Sequence, residues 1–434
     1  MRQMKDSGIA WIGEIPQSWE VMLLSLLFDE HKEKNIGLIE QNLLSLSYGN
    51  IIRKDINTLE GLLPQSFENY NVLSKGDIVF RLTDLQNDKR SLRTGLVQER
   101  GIITSAYITI RKRGELNSSF YYYLFHSYDI CKVFYGLGDG VRQGMNYEDL
   151  RNLRIILPPL IEQQQIAEFL DEKCGEVDEL IALQERMIGE LGRYKQSVIT
   201  EAVTRGLDPN APLKDSGIDW IGEIPKHWEL ISIKRCIIRS FAGIWGEDAQ
   251  NNDNDVRCFR VADFNYNQLN LTNNNPTNRN IDKNTFNQRK VLVGDILLEK
   301  SGGGEKTPVG RAVYVDIKED SICSNFVHCI KVDNNTNSKY LVYMFSNMYS
   351  IKVNVLYINQ TTGIQNLNVS DYLNNIISRP PLTEQQQIAD YLDQKCSEID
   401  EMTEIKKRKI EHLKEYKKSL IYEYVTGKKQ LTNQ

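Results

Sequence analysis

The feature that most constrains this chain is a ten-residue motif that occurs in it twice. Residues 158–167 and 380–389 both follow the pattern Pro-Pro-Leu-x-Glu-Gln-Gln-Gln-Ile-Ala, and the second copy begins 222 residues after the first. Paired prolines favour extended backbone before the polar residues of the motif, and polar side chains suit the first turn of a helix. Each copy therefore predicts a helix that starts at the same point of a repeated unit.

Both motifs lead into long segments in which apolar residues recur at steps of three, four or seven, which is the pattern of a narrow helical seam. From Glu162 to Arg205 there are 44 residues, which at ~1.5 Å per residue make a rod of roughly 65 Å. A polar helix with a single apolar stripe is marginal by itself, so we expect the two helices to pair as an antiparallel coiled coil. Two unrelated surface helices are the alternative, although these seldom exceed ~25 residues. The side chains expected in the seam are Ile166, Leu170, Val177, Leu191, Ile388, Leu392, Ile399 and Leu413.

The duplication extends beyond the helices. Residues 5–16, which end in Trp-Ile-Gly-Glu-Ile-Pro, return in nearly the same form at 214–225, and a further tryptophan follows each copy, Trp19 or Trp228. Between this motif and the helix lies a variable part that mixes strand-like and helix-like patterns. The predicted fold class is α+β, with two repeated mixed α/β domains and two long helices. The predicted segments are a domain at 1–157, a long helix at 158–206, a second domain at 207–379, and a helix with a tail at 380–434.

An asparagine-rich stretch at 251–287 makes the second variable part longer than the first. Asparagine favours turns and loops, because its side chain can hydrogen-bond to nearby backbone groups. We therefore expect this stretch to be an exposed insertion rather than a further domain.

Composition excludes several classes of protein. The seven cysteines form no Cys-x-x-Cys pair, so neither a zinc site nor a disulfide framework is predicted. The five histidines show no spacing suited to a metal. No apolar run approaches ~18 residues and the N-terminus lacks the apolar core of a signal peptide, so we expect a cytoplasmic protein without a membrane span.

These residues resemble a known family. Two repeats, each with an Asp-Ser-Gly and Trp-Ile-Gly-x-Ile-Pro motif, a divergent globule and a Pro-Pro-Leu-x-Glu-Gln-Gln-x-Ile-Ala helix, are similar to the specificity subunit of type I restriction-modification systems. The resemblance implies that each globule is a target recognition domain that reads one half of a bipartite double-stranded DNA sequence. It further implies that the antiparallel helices space the two domains and dock two methyltransferase subunits, and that two restriction subunits can join. S-adenosylmethionine, ATP and Mg²⁺ are then expected on those partners, with no cofactor or metal in this chain.

The candidate DNA-binding residues lie in two kinds of segment. Residues 142–146 and 364–368 align at the offset of 222 and repeat a glutamine and an asparagine three residues apart. Amide side chains can pair with adenine and arginine with guanine, although such amides also tie loops to a following helical turn. The second segment is the glycine run at 301–307 with its flanking basic residues, which we expect to face DNA rather than to form an ordinary exposed turn. The residues singled out are Arg142, Gln143, Asn146, Lys300, Lys306, Arg311, Gln365 and Asn368.

The sequence does not predict an enzyme. In the glycine run Glu305 stands where a phosphate-binding loop needs a glycine before the lysine, and the leading glycine is missing. No Asn-Pro-Pro-Tyr or Asp-Pro-Pro-Tyr segment occurs, so no catalytic residue is assigned. A methyltransferase-endonuclease fusion and a coiled-coil adaptor that binds only protein remain the competing interpretations.

Overall fold

The computed structural model describes residues 2–57, 66–85, 92–136, 144–361 and 363–431. The chain divides into two compact units, a first unit of residues 1–184 with 408–434 and a second unit of residues 185–407. The long helices run from Leu160 to Arg205 and from Leu382 to Val425. The units therefore divide both helices, whereas the sequence-based segments gave each helix a region of its own.

The first unit contains one four-stranded antiparallel sheet and an aromatic helix. The strands, in spatial order, are Phe28–Glu30, Ile108–Lys112, Ile78–Phe80 and Thr94–Leu96. The helix Ser118–Ile130 buries five aromatic side chains in the core of the unit. Paired strands complete the unit: Met4–Asp6 with Glu14–Pro16, Glu20–Leu23 with Arg154–Leu157, Leu44–Ser47 with Asn50–Arg53, and Asn71–Leu73 with Gly101–Ile103. Short helical turns occur at Leu24–Leu27, Ile36–Leu38, Phe67–Asn69, Val133–Gly136 and Tyr147–Leu150.

The second unit repeats this plan and adds to it. Its equivalent sheet contains Ile237–Ala242, Val327–Val332, Ile296–Glu299 and Ala312–Tyr314, and its aromatic helix is Ser338–Ser350. The repeated pairs are Leu213–Asp215 with Glu223–Pro225 and Glu229–Ser232 with Ile376–Arg379. A three-stranded sheet joins Ser301–Gly302, Ile364–Leu367 and Ile358–Thr361, and a hairpin joins Phe264–Asn265 to Asn270–Leu271. Helical turns occur at Ile233–Cys236, Val261–Asp263, Lys283–Arg289, Val353–Tyr357 and Val369–Tyr372.

The asparagine-rich stretch, which was expected to be an exposed insertion, contains regular strands. It supplies strands Asp255–Phe259 and Asn278–Asn280, which join Glu247–Asp248 and Ser321–Cys323 in a second four-stranded sheet. The reason is that Cys258 and Phe259 are fully buried, so a short apolar core fixes a segment whose average composition is polar.

The repeated glutamate at each helix start holds a tryptophan. Trp19 Nε1 donates to Glu162 at 2.9 Å and Trp228 Nε1 donates to Glu384 at 3.0 Å. The two tryptophans are 0% and 1% exposed, and a buried indole N–H needs such an acceptor. The glutamate of the motif is therefore the residue that ties each N-terminal motif to a long helix.

The first glutamine after that glutamate joins the helix start to the aromatic helix. Gln163 donates to Pro158 O at 2.7 Å and accepts from the backbone N–H of Asn117 at 3.0 Å, and Asn117 caps the helix Ser118–Ile130. Gln385 makes the same two contacts with Pro380 O and with the N–H of Asn337, both at 2.8 Å. Because a buried polar group must find partners, the motif conserves one arrangement in both units.

Within each unit the two long helices pack antiparallel. In the first unit the ring centroids of Phe169 and Tyr424 lie 4.5 Å apart, and further along Asp178 pairs with Lys417 at 2.6 Å. In the second unit Met187 accepts from Lys406 at 3.5 Å, and further along Lys195 pairs with Asp400 at 2.7 Å. The predicted antiparallel arrangement and the α+β class are confirmed.

The predicted seam is buried near the helix starts and open elsewhere. Leu170, Ile388 and Leu392 are fully buried, and Ile166, Val177 and Ile399 are 5% exposed. Leu191 and Leu413 are only half-buried. Burial is therefore complete where a seam residue also contacts the globule of its unit.

Candidate functional site

The glycine run of the second unit is a strand followed by a tight turn. Ser301–Gly302 pairs with Asn366 and Gln365, and Gly304 and Thr307 exchange two backbone hydrogen bonds of 3.0 and 3.1 Å. Gly303 has a φ of +61°, and a Cβ there would lie 2.9 Å from Val309 N, so only glycine fits. The turn leaves Lys306 exposed and Lys300 half-buried. No helix follows the run, which is a further difference from a phosphate-binding loop.

Arg311 is already paired inside the second unit. Its guanidinium binds Glu299 at 3.0 Å and lies 3.5 Å from the ring centroid of Tyr266. Burial raises the pKa of the Glu299 carboxyl, and the hydrogen bond from Arg311 counteracts this rise. Arg311 therefore serves to neutralise a buried carboxylate, and the structure gives no support to its predicted contact with DNA.

The repeated amides hold backbone in place. Gln365 is 7% exposed and accepts a hydrogen bond from Val309 N at 3.3 Å, so it holds the backbone just after the glycine run. Asn146 and Asn368 are N-caps, which accept from the N–H groups of Asp149 and Asp371. The alternative that these amides tie a loop to the following helical turn describes Asn146 and Asn368, whereas the contact of Gln365 joins two distant segments. Arg142 and Gln143 lie outside the described residues.

An exposed aromatic pocket lies beside the glycine run and was not found from the sequence. Trp245 and Phe326 are each 41% exposed, and with Val261, Ala262 and the glycine run they line a cavity of about 470 Å³. The guanidinium of Arg279 lies 4.6 Å from the Trp245 ring centroid. An aromatic face supported by a cation can stack on a flat ring such as a base. The available signal was that Trp245 is the one tryptophan outside the repeated motif.

The corresponding segment of the first unit carries different side chains. The offset of 209 that relates the N-terminal motifs places Trp245 against Ile36. A bulge between Ile237 and Arg239 shifts the strand register by one residue, so the two side chains share a segment rather than an equivalent position. Ile36 is 74% exposed and lies on the turn Ile36–Leu38, next to Ile39, which is 69% exposed. Asn35 is fully buried and exchanges hydrogen bonds of 2.9 and 3.0 Å with the backbone of Glu40. The first unit thus presents an aliphatic tip on a fixed turn where the second unit presents an indole.

Metal and membrane sites were also considered. Among residues 2–57, 66–85, 92–136, 144–361 and 363–431, no group of three or more His, Cys, Asp or Glu side chains could hold a metal ion. The described helices include none with the length and apolar character that crossing a bilayer requires.

Comparison with known proteins identifies the family. The family model described as the type I restriction modification DNA specificity domain matches residues 40–191 and 247–415. The chain belongs to this family.

Individual relatives and solved structures agree with this assignment. The MjaVIII specificity subunit of Methanocaldococcus jannaschii is 26% identical over 77% of this chain and 76% of its own length. The putative MjaX specificity subunit of the same organism is 25% identical over 96% of this chain and 95% of its own length. A chain from a structure of type I R-M complex assembly has a TM-score of 0.69 at 15% identity, covering 95% of this chain and 98% of its own. The HsdS subunit of Thermoanaerobacter tengcongensis has a TM-score of 0.52 at 18% identity, covering 95% of this chain and 98% of its own.

Membership settles the broad role of the chain. It is a specificity subunit of a type I restriction-modification system, which is the component that recognises DNA sequence and not the catalytic component. The predicted family and the predicted absence of an enzyme activity of its own are confirmed at this level.

Proposed function

We propose that each globule of this specificity subunit reads one half of a bipartite double-stranded DNA target. The observation that supports this is that the two units repeat one arrangement but expose different side chains in corresponding segments, Ile36 in the first unit and Trp245 in the second. The repeated contacts at the helix starts would orient both globules on DNA in the same way. The different exposed side chains would then select different bases. The arrangement favours two unrelated half-sites over an inverted repeat.

The long helices are proposed to space these two readers and to dock two methyltransferase subunits. Support comes from large apolar side chains that stay exposed along both helices in each unit, because such side chains mark contact surfaces. In the first unit they are Leu180, Leu183 and Tyr416, and in the second unit they are Met187, Tyr194, Met402 and Ile405. Two similar surfaces in one chain suit two copies of one partner. Two restriction subunits complete the proposed complex.

No cofactor is assigned to this chain in the proposal. S-adenosylmethionine, ATP and Mg²⁺ belong to the methyltransferase and restriction subunits, and the complex works in the cytoplasm. The support is chemical: the described residues bring together no cluster of metal ligands, and the glycine run lacks the geometry that cradles a phosphate.

The proposal is tested by selecting bound sequences from random duplex DNA, using the chain purified with the methyltransferase subunits of its own system. Trp245→Ala should relax or change one half of the selected motif and lower affinity for the original target at least fivefold, because a base contact is worth ~1–3 kcal/mol. Ile36→Ala is the matched variant, and it should alter only the other half.

Three results would contradict the proposal. A motif with a single block would remove the bipartite target. Equal weakening of all sequences by both variants would make the two positions backbone contacts. A complex that selects no sequence at all would favour a protein-binding adaptor.

A further inference from the structure

Each unit has a cavity in the same place, between its aromatic helix, the end of a sheet strand and the long helices. Tyr123 donates to Asp171 at 2.8 Å in the first unit, and Tyr343 donates to Asp393 at 2.7 Å in the second. The walls of the first cavity include Leu96, Gln98, Tyr123, Asp171, Cys174 and Asp178. The walls of the second include Tyr314, Asp316, Tyr343, Asp393, Cys396 and Asp400. These are equivalent positions of the repeat, at offsets of 218 to 222.

In the second unit a turn of the chain itself occupies this place. The turn lies between strands Phe264–Asn265 and Asn270–Leu271. Lys195 Nζ donates to the backbone carbonyl of Asn267 at 2.8 Å and to Asp400 at 2.7 Å. Asn270 Nδ2 donates to Asp316 at 2.8 Å. The space that remains has a volume of about 240 Å³.

In the first unit the same place is open. Lys417 is the counterpart of Lys195 at the offset of 222, and it pairs with Asp178 at 2.6 Å. Among the described residues, no backbone carbonyl accepts a hydrogen bond from Lys417 Nζ. The hairpin Leu44–Ser47/Asn50–Arg53 reaches the rim with Tyr48 and Gly49, and the cavity measures about 700 Å³.

His126 lines the open cavity, and its Nδ1 is buried with no hydrogen-bond partner among the described residues. Burial, with a smaller contribution from Lys417 and Lys418, lowers the pKa of His126 to about 4. The imidazole is therefore neutral near pH 7 and adds no positive charge to the cavity wall.

We propose that the first-unit cavity binds a turn of a partner polypeptide, with a backbone carbonyl on Lys417 Nζ as Asn267 O lies on Lys195 Nζ. The equivalent cavity of the second unit indicates the kind of ligand, because it is occupied by a polypeptide turn that the equivalent lysine holds. Charge disfavours a phosphate: three lysines line the cavity, but Lys414 and Lys418 pair with Glu411 and Glu415, and Lys417 pairs with Asp178. This inference does not depend on the proposed DNA target.

The test is calorimetric titration of the full chain with a head-to-tail cyclic peptide of the sequence at residues 264–271, Phe-Asn-Tyr-Asn-Gln-Leu-Asn-Leu. We expect one peptide to bind per chain. Lys417→Met should raise the Kd at least tenfold, because it removes a charged donor to a carbonyl. Lys195→Met, which changes the cavity that is already filled, should leave the Kd within twofold.

A second pair of variants tests the location without touching any hydrogen bond. Gly175 lines the cavity, and a Cβ added there would meet no atom within 4 Å. Gly175→Phe should therefore block the peptide while the helix stays folded. Gly189→Phe is the control on the same helix, because Gly189 also has open space around it and lies outside the cavity lining.

The outcomes are exclusive. Absence of peptide binding to the wild-type chain overturns the inference, as does binding that neither Lys417→Met nor Gly175→Phe weakens. If Lys417→Met instead weakens binding of a 30-base-pair duplex and the peptide does not compete with it, the cavity belongs to nucleic acid and the inference fails.

Discussion

The two units of this chain are alike where they hold the long helices and unlike where they face outward. Glu162 and Glu384 hold buried tryptophans in the same way, and Gln163 and Gln385 make the same two contacts. The outward-facing segments differ, since the first unit exposes Ile36 in the segment that corresponds to the one where the second unit exposes Trp245. The variable parts differ in sheet pairing as well: Asp255–Phe259 pairs in parallel with Ser321–Cys323, whereas a parallel bridge between Leu43 and Ile102 lies at this place among the described residues of the first unit.

This difference shows which contacts limit divergence after a duplication. A fully buried tryptophan with a charged acceptor cannot change without a large loss of stability. An exposed side chain on a turn can change at little cost to the fold. The buried contacts at the helix starts therefore remain recognisable as a repeat, while the exposed side chains of the two units differ. Recognition of two different half-sites requires such a difference.

The largest expected effect tests whether the two frames are equivalent. Trp19→Ala and Trp228→Ala should each lower the free energy of unfolding of their own unit by ~3–5 kcal/mol, since each empties a buried site. Each also removes one hydrogen bond from its glutamate, which keeps Arg2 or His227 as a partner. Denaturant unfolding with hydrogen exchange resolved by segment would assign the loss to one unit. Trp245→Ala is the control and should change stability by less than ~1 kcal/mol because this tryptophan is exposed. A loss confined to one of the two frame variants would show that the frames are not equivalent.

The helix starts and their repeated contacts could be predicted from the sequence, whereas the structure of the variable parts could not. The doubled Glu-Gln-Gln motif predicted both helix starts, because its capping and pairing roles are local and repeat at a fixed offset. The strand Asp255–Phe259 was missed because its two buried residues are surrounded by asparagine, so the average composition concealed it. For Gln365 the sequence left two roles open, because an amide that supports a loop and an amide that reads a base have the same sequence signature. Burial separates them, and burial depends on the tertiary structure.

A smaller effect concerns pH, because each unit buries one histidine. Burial is the main cause that lowers the pKa of His126, in the first unit, and of His328, in the second, to about 4. The unfolded chain takes up a proton near pH 6.5 and the folded chain does so near pH 4, so stability is complete above pH 6.5 and falls as the pH drops towards 4. At pH 5 each unit should have lost about 1–2 kcal/mol relative to pH 7.

Single variants distinguish the two histidines. His126→Phe should flatten the pH dependence of unfolding between pH 7 and pH 5 for the first unit only, and His328→Phe should do so for the second unit only. The measurement is segment-resolved hydrogen exchange at both pH values. An unchanged slope in both variants would assign the acid sensitivity to carboxylates instead of to these histidines.

The smallest effect separates the two ion pairs between the long helices. Lys195 and Lys417 occupy equivalent positions and pair with Asp400 and Asp178, but their side chains are 17% and 27% exposed. Lys195 also donates to Asn267 O, whereas Lys417 has only its carboxylate among the described residues.

Because a partly exposed ion pair contributes little, Lys417→Met should cost at most about 0.5–1 kcal/mol. Lys195→Met should cost about 1 kcal/mol more, since it also leaves a backbone carbonyl without its charged donor. Thermal unfolding of the two variants, compared with Lys409→Met at an exposed position of the second long helix, would measure the difference. Equal losses of stability in the two variants would mean that the hydrogen bond to Asn267 O does not stabilise the second unit. The filled and the open cavity would then not differ in their contribution to stability.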